Sequence, residues 1–368
     1  GEGPRTFESL LKVTDFDDYS QLSKVPGLWY RNKTTGLIQS TPQAPLITNL
    51  DEEIDMLPIE YLDLKSYRTS NWHSWTNNNE TAPFASIYTS LGCPFKCNFC
   101  MINAPFNHGD TKNNVFRNWS PENIIKKFDF FAENNIKNIK IADEMFVFKK
   151  QHYVELCKLI HERKYDFNIW AYARVDTVRE QHLEVLKNAG VNWLALGIES
   201  ANQVIRQEVT KGKFQETNIR NIINKISEHN ISSLGNYIFG LPKDNMETMT
   251  ETLALSLELE TDYANFYCAM AYPGSQLHRD FSKQNPKALP ENNDAGWIGY
   301  SQHAYETFNL PTDNLSNTEI LKFRDEAFIK YFTDRPYVTR MAKKFGTGFQ
   351  KEIDKMLNTK LKRKLYDK

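Results

Sequence analysis

Three cysteines lie within eight residues of this 368-residue chain, in the segment Cys93-Pro-Phe-Lys-Cys97-Asn-Phe-Cys100. The other cysteines, Cys157 and Cys268, stand alone, and an odd total of five is too few for a disulfide framework. Three thiolates at spacings of four and three residues can converge on one inorganic centre, because Gly92 and Pro94 interrupt regular structure there. The cluster therefore predicts a metal centre in a reducing compartment, which we take to be the cytoplasm.

Two metals compete for such a site. Zinc takes four ligands in a closed tetrahedron, which the three cysteines and His108 could supply, but structural zinc sites usually pair a C-x-x-C motif with a second, distant pair. A 4Fe-4S cluster held by three cysteines leaves one iron open for an exogenous ligand. The spacing favours the iron-sulfur cluster, with zinc and inert core thiols as alternatives. We interpret Cys157 and Cys268 as buried apolar thiols.

The elements that must position this segment alternate regularly from Phe84 onward. Short runs rich in β-branched and aromatic residues are separated by amphipathic segments of helix length. Six such units in series predict parallel strands with right-handed crossovers, and therefore a doubly wound sheet or a partial or full α/β barrel. The predicted strands are 84–91, 138–142, 168–173, 192–197, 233–239 and 263–270.

The regions on either side of this core are simpler. Residues 1–80 are predicted to form a connector, with a strand at 27–31, a turn at 34–36 and a return strand starting at Leu37. Residues 81–285 form the predicted α/β core. Residues 286–368 form a C-terminal helical extension with helices at 318–332 and 337–357, followed by a basic tail from Lys360 that we interpret as a solvated helix end.

Composition excludes several classes of function. Forty-five basic and 46 acidic side chains give a net charge of −1, so no global charge draws the chain to nucleic acid or to an anionic membrane. The mean hydropathy of −0.58 and the lack of any apolar run of membrane length predict no membrane span. The first residues carry no secretory signal, and the missing initiator Met suggests a fragment of a longer protein.

The cysteine segment resembles the signature of the radical S-adenosylmethionine (radical SAM) enzymes, including the aromatic Phe99 before the third cysteine. The resemblance implies a partial (β/α)6 TIM-like barrel in which Cys93, Cys97 and Cys100 ligate three irons of a 4Fe-4S cluster. The amino and carboxylate groups of S-adenosylmethionine (SAM) would chelate the fourth iron. Reductive cleavage of SAM would then give a 5′-deoxyadenosyl radical that abstracts hydrogen from an unknown substrate.

The ends of the predicted strands carry residues that the resemblance assigns to the cofactor, because a parallel barrel builds its site at the carboxyl ends of its strands. After the second strand, Glu144 best matches the acidic residue that accepts from the SAM ammonium, with Asp143 next. After the third, Arg174 could pair with the SAM carboxylate. Phe99, in the cysteine segment, is also assigned to the cofactor. The remaining assigned residues are Glu199 and Ser200 after the fourth strand, and Gly235, Ile238 and Gly240 at the fifth.

Each of these assignments has a structural alternative. Asp143 and Glu144 could cap a helix, and Arg174 and Glu199 could form structural salt bridges. In the functional interpretation, Glu199 accepts from ribose hydroxyls or the ammonium and Ile238 packs on adenine, while the glycines admit close backbone approach. The joint order and spacing of these residues favour the functional interpretation.

The connector also resembles that of the cobalamin-binding type of radical SAM enzyme, in Gly1-Glu2-Gly3-Pro4, in 26–31 and in 50–58. It implies an absent N-terminal cobalamin domain, possible use of cobalamin, and C-methylation ahead of rearrangement or ring formation. A methylthiotransferase is disfavoured because no second cysteine triad precedes Cys93. The expected partners are a small-molecule substrate of natural-product or lipid type and a reductant such as flavodoxin or ferredoxin.

Two other classes of protein remain open as alternatives. An electron-transfer or structural iron-sulfur protein would close the cluster with a fourth ligand, either Cys268 or His108, and would not use SAM. A zinc-stabilised binding module would carry no iron.

Overall fold

A computed structural model describes residues 3–54, 58–68, 83–104, 115–209 and 216–367, with the backbone alone at 216, 217 and 347. His108, the alternative metal ligand, lies outside these ranges. The strands are Trp29–Arg31 (β1), Ile38–Ser40 (β2), Phe84–Ile87 (β3), Ser90–Gly92 (β4), Phe116–Asn118 (β5), Asn138–Ile141 (β6), Asn168–Arg174 (β7), Val191–Glu199 (β8), Ser232–Phe239 (β9) and Tyr263–Cys268 (β10). The α-helices are Gly3–Leu10 (α1), Tyr19–Leu22 (α2), Leu50–Glu53 (α3), Pro121–Glu133 (α4), Lys150–Glu162 (α5), Leu183–Asn188 (α6), Gln203–Glu208 (α7), Glu216–Glu228 (α8), Met246–Glu258 (α9), Gln276–Gln284 (α10), Asn317–Thr333 (α11), Arg335–Phe345 (α12) and Thr347–Asn358 (α13).

The central element is an open parallel sheet with the strand order β10-β9-β8-β7-β6-β3 among the described residues. All five neighbouring pairs in it are parallel, and helices connect the successive strands. This is the half-barrel that the alternating pattern and the resemblance predict. The prediction of an α/β fold with a partial (β/α)6 barrel is therefore confirmed.

The first predicted strand, 84–91, is wrong in its second half. Strand β3 ends at Ile87, and Ser90 begins β4, which pairs antiparallel with β5 in a separate small sheet. The break follows from hydrogen bonds to Asp143, whose carboxylate accepts from the Thr89 N–H at 2.6 Å and the Ser90 hydroxyl at 2.6 Å. These bonds turn the chain out of the main sheet before the cysteines are reached.

Burial of alternate residues on the outer face of the sheet forms the core beneath the helices. In β6, Ile139 and Ile141 are fully buried with Phe128 and Phe131 of α4 in one apolar cluster. Helix α4 begins as the sequence predicts, because the Ser120 side chain accepts from the Asn123 N–H at 3.3 Å. This packing fixes the strands whose ends carry the predicted site.

The amino-terminal edge of the sheet is closed by a ladder of asparagines on β6, β7 and β8. Asn192 donates to the Asn168 side-chain oxygen at 3.1 Å, and Asn168 donates to that of Asn138 at 3.0 Å. Asn138 donates in turn to the Pro83 carbonyl at 3.4 Å. The Asn192 side-chain oxygen accepts from Lys187 at 2.7 Å, so each amide is both donor and acceptor, which satisfies these polar groups.

The C-terminal extension differs from prediction in two places. The predicted helix 337–357 is two helices, because Gly346 adopts a φ of +78° between α12 and α13, a left-handed conformation that ends the first helix. The basic tail is not a solvated helix end: Arg363 is fully buried and donates to Asp325 and to the carbonyl oxygens of Gln302 and Ala304. A specific buried ion pair thus holds the tail on α11.

The connector contains the predicted hairpin, with β1 and β2 paired antiparallel. Its side chains are mostly exposed, and Trp29 has 73% of its surface accessible. No described helix combines the length and apolar character needed to cross a membrane.

Candidate functional site

The cysteine loop starts at Gly92, the last residue of β4. Gly92 has a φ of +85°, and a Cβ there would stand 2.0 Å from the carbonyl oxygen of Val115. Both the conformation and the close approach of the opposite strand therefore require glycine. Sequence reasoning noted Gly92 only as a breaker of regular structure.

Two asparagines that sequence reasoning missed hold the loop. The Asn103 side chain accepts from the Cys93 N–H at 3.2 Å and donates to the Phe95 carbonyl at 3.1 Å. Asn98 acts through its backbone, donating to the Val209 carbonyl at 3.1 Å and accepting from the Leu277 N–H at 2.9 Å.

Residues Val209 and Leu277 lie at the end of α7 and in the first turn of α10, on the far side of the sheet from β4. The loop therefore spans the carboxyl edge of the sheet and is bonded at both sides. Phe99 packs in a small apolar cluster with Ile238 of β9 and residues after β8 and β10, which adds an apolar contact to these hydrogen bonds.

Arg174, at the end of β7, lies directly against this loop. Its guanidinium stacks 3.7 Å from the centre of the Phe95 ring, and its Nη1 lies 3.7 Å from the Cys97 sulfur. Asp176 fixes the guanidinium in this position through two hydrogen bonds of 2.8 Å. The hydrogen bonds and charge of Asp176 raise the pKa of Arg174 against the opposing effect of burial, with a smaller contribution from the cysteines. Arg174 is thus part of the cysteine site, and Asp176 is its intrachain partner.

The donor set fits the cluster that the resemblance implies. Three thiols on one loop at the carboxyl edge of the sheet are the ligands that a 4Fe-4S cluster with one open iron takes. None of the five cysteines, all of which the structure describes, forms a disulfide, and Cys93, Cys97 and Cys100 are all at least partly exposed. Within the described ranges, no three His, Cys, Asp or Glu side chains stand close enough together to hold one metal ion. Convergence of the three thiols thus stays a prediction.

Asp143 and Glu144, the adjacent carboxylates after β6, have different surroundings. Asp143 is fully buried and accepts from the Thr89 N–H, the Thr89 hydroxyl and the Ser90 hydroxyl, each at 2.6 Å. Burial raises its pKa to about 6, although these hydrogen bonds oppose the shift. Its carboxylate is committed to the strand that leads into the cysteine loop, which is a positioning role rather than contact with a cofactor.

Glu144 has an uncommitted carboxylate oxygen. Its Oε2 is buried and has no hydrogen-bond partner among the described residues. Burial raises its pKa to about 7, and the neighbouring charge of Asp143 adds to the effect. A buried acceptor without a donor costs free energy, and such groups occur where a ligand supplies the missing partner. Glu144 is therefore the better of the two candidates, as the sequence ranks them.

The two residues at the end of β8 also differ. Glu199 is buried and has a φ of +68°, at the point where the pairing of β8 with β9 shifts register. A non-glycine residue held in this conformation is strained, and such strain concentrates at functional sites. The Ser200 hydroxyl is fully buried, 3.2 Å from the Thr252 hydroxyl of α9, and it accepts from the Asn202 N–H at 3.2 Å. Ser200 therefore joins α7 and α9 to the strand end.

Two of the predicted glycines are explained by packing. A Cβ at Gly235 would stand 2.7 Å from the hydroxyl of Tyr237, and one at Gly240 would stand 2.8 Å from Ile320 of α11. The ring of Tyr237 thus gives a packing reason for Gly235, and close approach of a cofactor there stays a prediction. Gly240, with a φ of +77°, is the turn that brings β9 under α11.

A separate cleft of about 480 Å³ lies among α7, α8 and α9 on the outside of the sheet. It is lined by Arg206, Arg220, Glu251 and Glu258 among others, and none of the predicted site residues borders it. The candidate site is therefore the carboxyl edge of the sheet, not this cleft.

Comparisons with known proteins agree with this geometry. Residues 87–256 match the family model of the radical SAM superfamily. An uncharacterized methyltransferase of Pyrococcus horikoshii is 29% identical over 92% of this chain and 67% of its own length. The anaerobic magnesium-protoporphyrin IX monomethyl ester cyclase of Cereibacter sphaeroides is 24% identical over 78% of this chain and 48% of its own length. The chain thus spans about half to two thirds of these relatives.

Solved structures show the same fold. The radical SAM methyltransferase TsrM from Kitasatospora setae, with tryptophan substrate and a SAM analog bound, superposes with a TM-score of 0.60 at 16% identity. The match covers 77% of this chain and 53% of TsrM. The cobalamin-dependent radical SAM enzyme OxsB, with aqua-cobalamin and SAM bound, gives a TM-score of 0.53 at 19% identity over 80% of this chain and 40% of OxsB.

The family match, the half-barrel and the cysteine loop at its carboxyl edge agree in one assignment. The alternatives of a zinc module and of an iron-sulfur carrier without SAM are not favoured by any of these matches. Residues 87–256 therefore form a radical SAM domain, and this family implies a 4Fe-4S cluster and SAM as cofactors.

Proposed function

We propose that this chain is the catalytic part of a radical SAM enzyme in which Cys93, Cys97 and Cys100 hold the 4Fe-4S cluster. The observation that carries the proposal is the fastening of the cysteine loop across the carboxyl edge of the sheet, through Asn98 and Arg174. When bound, the cluster and SAM supply a 5′-deoxyadenosyl radical by reductive cleavage, and this radical abstracts hydrogen from the substrate.

The residues of this chain bind and orient the cofactor. Glu144 accepts an N–H of the SAM amino group, because its buried Oε2 receives no hydrogen bond from the residues that the structure describes. Arg174, held by Asp176, carries the positive charge next to Cys97 and is placed to pair with the SAM carboxylate. The strained Glu199 accepts from the ribose hydroxyls. Ile238 offers an apolar surface to adenine beside Phe99.

The reaction is proposed to be cobalamin-dependent C-methylation of a small molecule. The similarity to a methyltransferase, and to the cobalamin-bound structures of TsrM and OxsB, supports this choice. Ring formation is the second candidate, because similarity to a cyclase extends over 78% of the chain. We propose a natural-product or lipid-type substrate, a flavodoxin or ferredoxin as reductant and a cytoplasmic location. Residues 1–80, 81–285 and 286–368 would act as connector, catalytic core and helical extension.

Anaerobic reconstitution with iron and sulfide tests the proposal. The reconstituted protein should bind about four irons per chain and release 5′-deoxyadenosine when supplied with SAM and dithionite. Replacing Cys93, Cys97 or Cys100 singly with alanine should abolish the product, whereas Cys157→Ala should retain it because that thiol is buried in the apolar core.

Two results would contradict the proposal. A cluster that forms but neither changes its electron paramagnetic resonance spectrum with SAM nor yields 5′-deoxyadenosine would identify an electron carrier. Bound zinc without sulfide or brown colour would identify a zinc module.

A further inference from the structure

A lysine, Lys140, lies on the inner face of the half-barrel, the face that the helices do not cover. Lys140 alternates in β6 with Ile139 and Ile141, which point into the helix-covered core. It pairs across the sheet with Trp170 of β7, and paired residues of parallel strands share a face. Its ammonium group lies 4.8 Å from the centre of the Trp170 ring and 5.4 Å from that of Tyr172.

Lys140 is partly buried, yet no described acidic side chain approaches its ammonium group closely enough to form an ion pair. Burial lowers its pKa. A lysine is rarely buried without an anionic partner. Desolvation of its charge costs free energy, and cation–π contacts with two aromatic rings offset only part of that cost. The surroundings of Lys140 thus favour an anion that the protein does not itself supply.

This face leads directly to the proposed cofactor site. Burial raises the pKa of Tyr172, and the nearby groups Tyr88 and Glu144 add to the shift. Tyr267 of β10 in turn interacts electrostatically with Tyr172 and with Glu199. Lys140 lies within β6, whereas Glu144 follows the carboxyl end of that strand, so Lys140 lies deeper in the barrel than the carboxylate that we assign to SAM.

We propose that Lys140 binds a carboxylate of the substrate, and that the substrate is an aromatic or otherwise apolar carboxylic acid seated against Trp170 and Tyr172. This inference rests on the proposed function and names the substrate class for the same site. A single ammonium group suits a singly charged carboxylate better than a phosphate, because Arg174, two residues after Tyr172 on β7, is paired with Asp176 and is assigned above to the SAM carboxylate. The aromatic rings supply the apolar wall that would hold the rest of the molecule.

Isothermal titration calorimetry on the anaerobic, reconstituted protein with saturating SAM tests this assignment. The probes are naphthoate and naphthamide, which differ in charge and little in shape. The protein should bind naphthoate about tenfold more tightly than naphthamide, the effect of one charge-assisted hydrogen bond in a partly buried site. Lys140→Met should lose this preference and Lys140→Arg should keep it. The control Lys158→Met, on the exposed face of α5, should not change it.

Four results of this titration would contradict the assignment of Lys140. Equal binding of the two probes, no binding of either up to about 10 mM, or a preference that survives Lys140→Met would each overturn the assignment of Lys140. A preference seen only without SAM would also overturn it, because Lys140 would then bind the cofactor's carboxylate.

Assay of 5′-deoxyadenosine in the same preparations distinguishes this inference from the proposed function. An unsubstituted protein that prefers naphthoate but makes no 5′-deoxyadenosine would contradict the function and leave Lys140 assigned. One that makes 5′-deoxyadenosine without the preference would contradict Lys140 alone.

Discussion

The polar side chains at the two edges of the parallel sheet differ in how fully they are hydrogen-bonded. At the amino-terminal edge, Asn138, Asn168 and Asn192 donate to and accept from one another in a ladder. At the carboxyl edge, Glu144 keeps a buried oxygen that has no hydrogen-bond partner in the described part of the chain, and Glu199 sits in a strained conformation.

The difference shows how one set of strands serves stability at one end and binding at the other. Satisfied polar groups stabilise the fold, whereas unsatisfied or strained groups lower its stability until a ligand completes them. Substitutions at the two edges should therefore separate into those that affect folding and those that affect the cofactor, and the four that follow test this division.

Replacing Cys97 with alanine should have the largest effect and should fall entirely on function. We expect 5′-deoxyadenosine formation to drop by at least about 1000-fold, because the cluster loses one of its three ligands. The unfolding temperature of the metal-free protein should not change, since the Cys97 sulfur makes only a long contact with Arg174 at 3.7 Å. Activity assay and thermal unfolding of the same preparation measure both. A variant with more than a tenth of the parent activity would remove Cys97 from the site.

Asp143→Ala should be an exception to this division, because Asp143 lies at the carboxyl edge but stabilises the fold. Three buried donors from Thr89 and Ser90 would lose their acceptor, and we expect the free energy of unfolding to fall by about 4 kcal/mol. Denaturant unfolding measures the change. Glu155→Ala, an exposed carboxylate on α5, serves as the control and should cost little. A loss for Asp143→Ala no larger than that of the control would show that these bonds do not hold the loop.

Asn168→Ala should lower the free energy of unfolding by about 2 kcal/mol, because it leaves Asn138 and Asn192 each without one hydrogen bond. Asn192→Ala removes one ladder bond and the bond that Asn192 accepts from Lys187. Because Lys187 keeps its bond to the Asn230 carbonyl, this variant should cost less than Asn168→Ala. SAM binding by the folded fraction should be unchanged in both variants. Weakened SAM binding would show that the two edges are not independent.

Glu144→Gln should have the smallest effect, on the affinity for SAM. Because the pKa of Glu144 is raised to about 7, the group is mainly protonated at pH 6 and mainly ionised at pH 8. The parent protein should therefore bind SAM more tightly at pH 8 than at pH 6. The variant should bind about tenfold more weakly at pH 8 and show little pH dependence. Calorimetry at both pH values checks this, and an identical pH dependence in Glu144→Gln would refute the role of Glu144.

The same substitution should stabilise the folded protein in the absence of SAM, although it weakens SAM binding. A carboxyl group whose pKa is raised from 4.5 to about 7 on folding makes the folded state lose stability as the pH rises through that interval. Without SAM, Glu144→Gln should thus unfold at a higher temperature than the parent at pH 8, and the difference should vanish near pH 4. Glu162→Gln, at the exposed end of α5, provides the matched control.

The sequence predicted those parts of the fold whose signals are local. The strand predicted at 138–142 is Asn138–Ile141, and the one at 233–239 is Ser232–Phe239, because β-branched runs bounded by polar residues define both. The errors have distant causes. The break after Ile87 depends on Asp143, and the burial of Arg363 in the tail depends on Asp325, which is 38 residues away.

The site shows the same limit. The cysteine spacing is a local motif, and the strand ends follow from the alternating pattern, so the loop and Glu144 could be predicted. The fastening of Asn98 to Val209 joins residues that only the folded sheet brings together, and no local pattern marks it. The sequence pattern also does not show that the ring of Tyr237, two residues later, gives Gly235 a packing role.

The buried guanidinium of Arg363 makes the last residues of the chain part of its folded body. Asp325, its acceptor on α11, is adjacent to Arg324, which donates to the Phe266 carbonyl of β10 at 2.7 Å. Shortening the chain to residue 360 would deprive Asp325 of that positive charge and loosen the helix that braces the last strand of the half-barrel. A purification tag or a proteolytic cut near Arg363 would therefore also weaken the packing of α11 against β10.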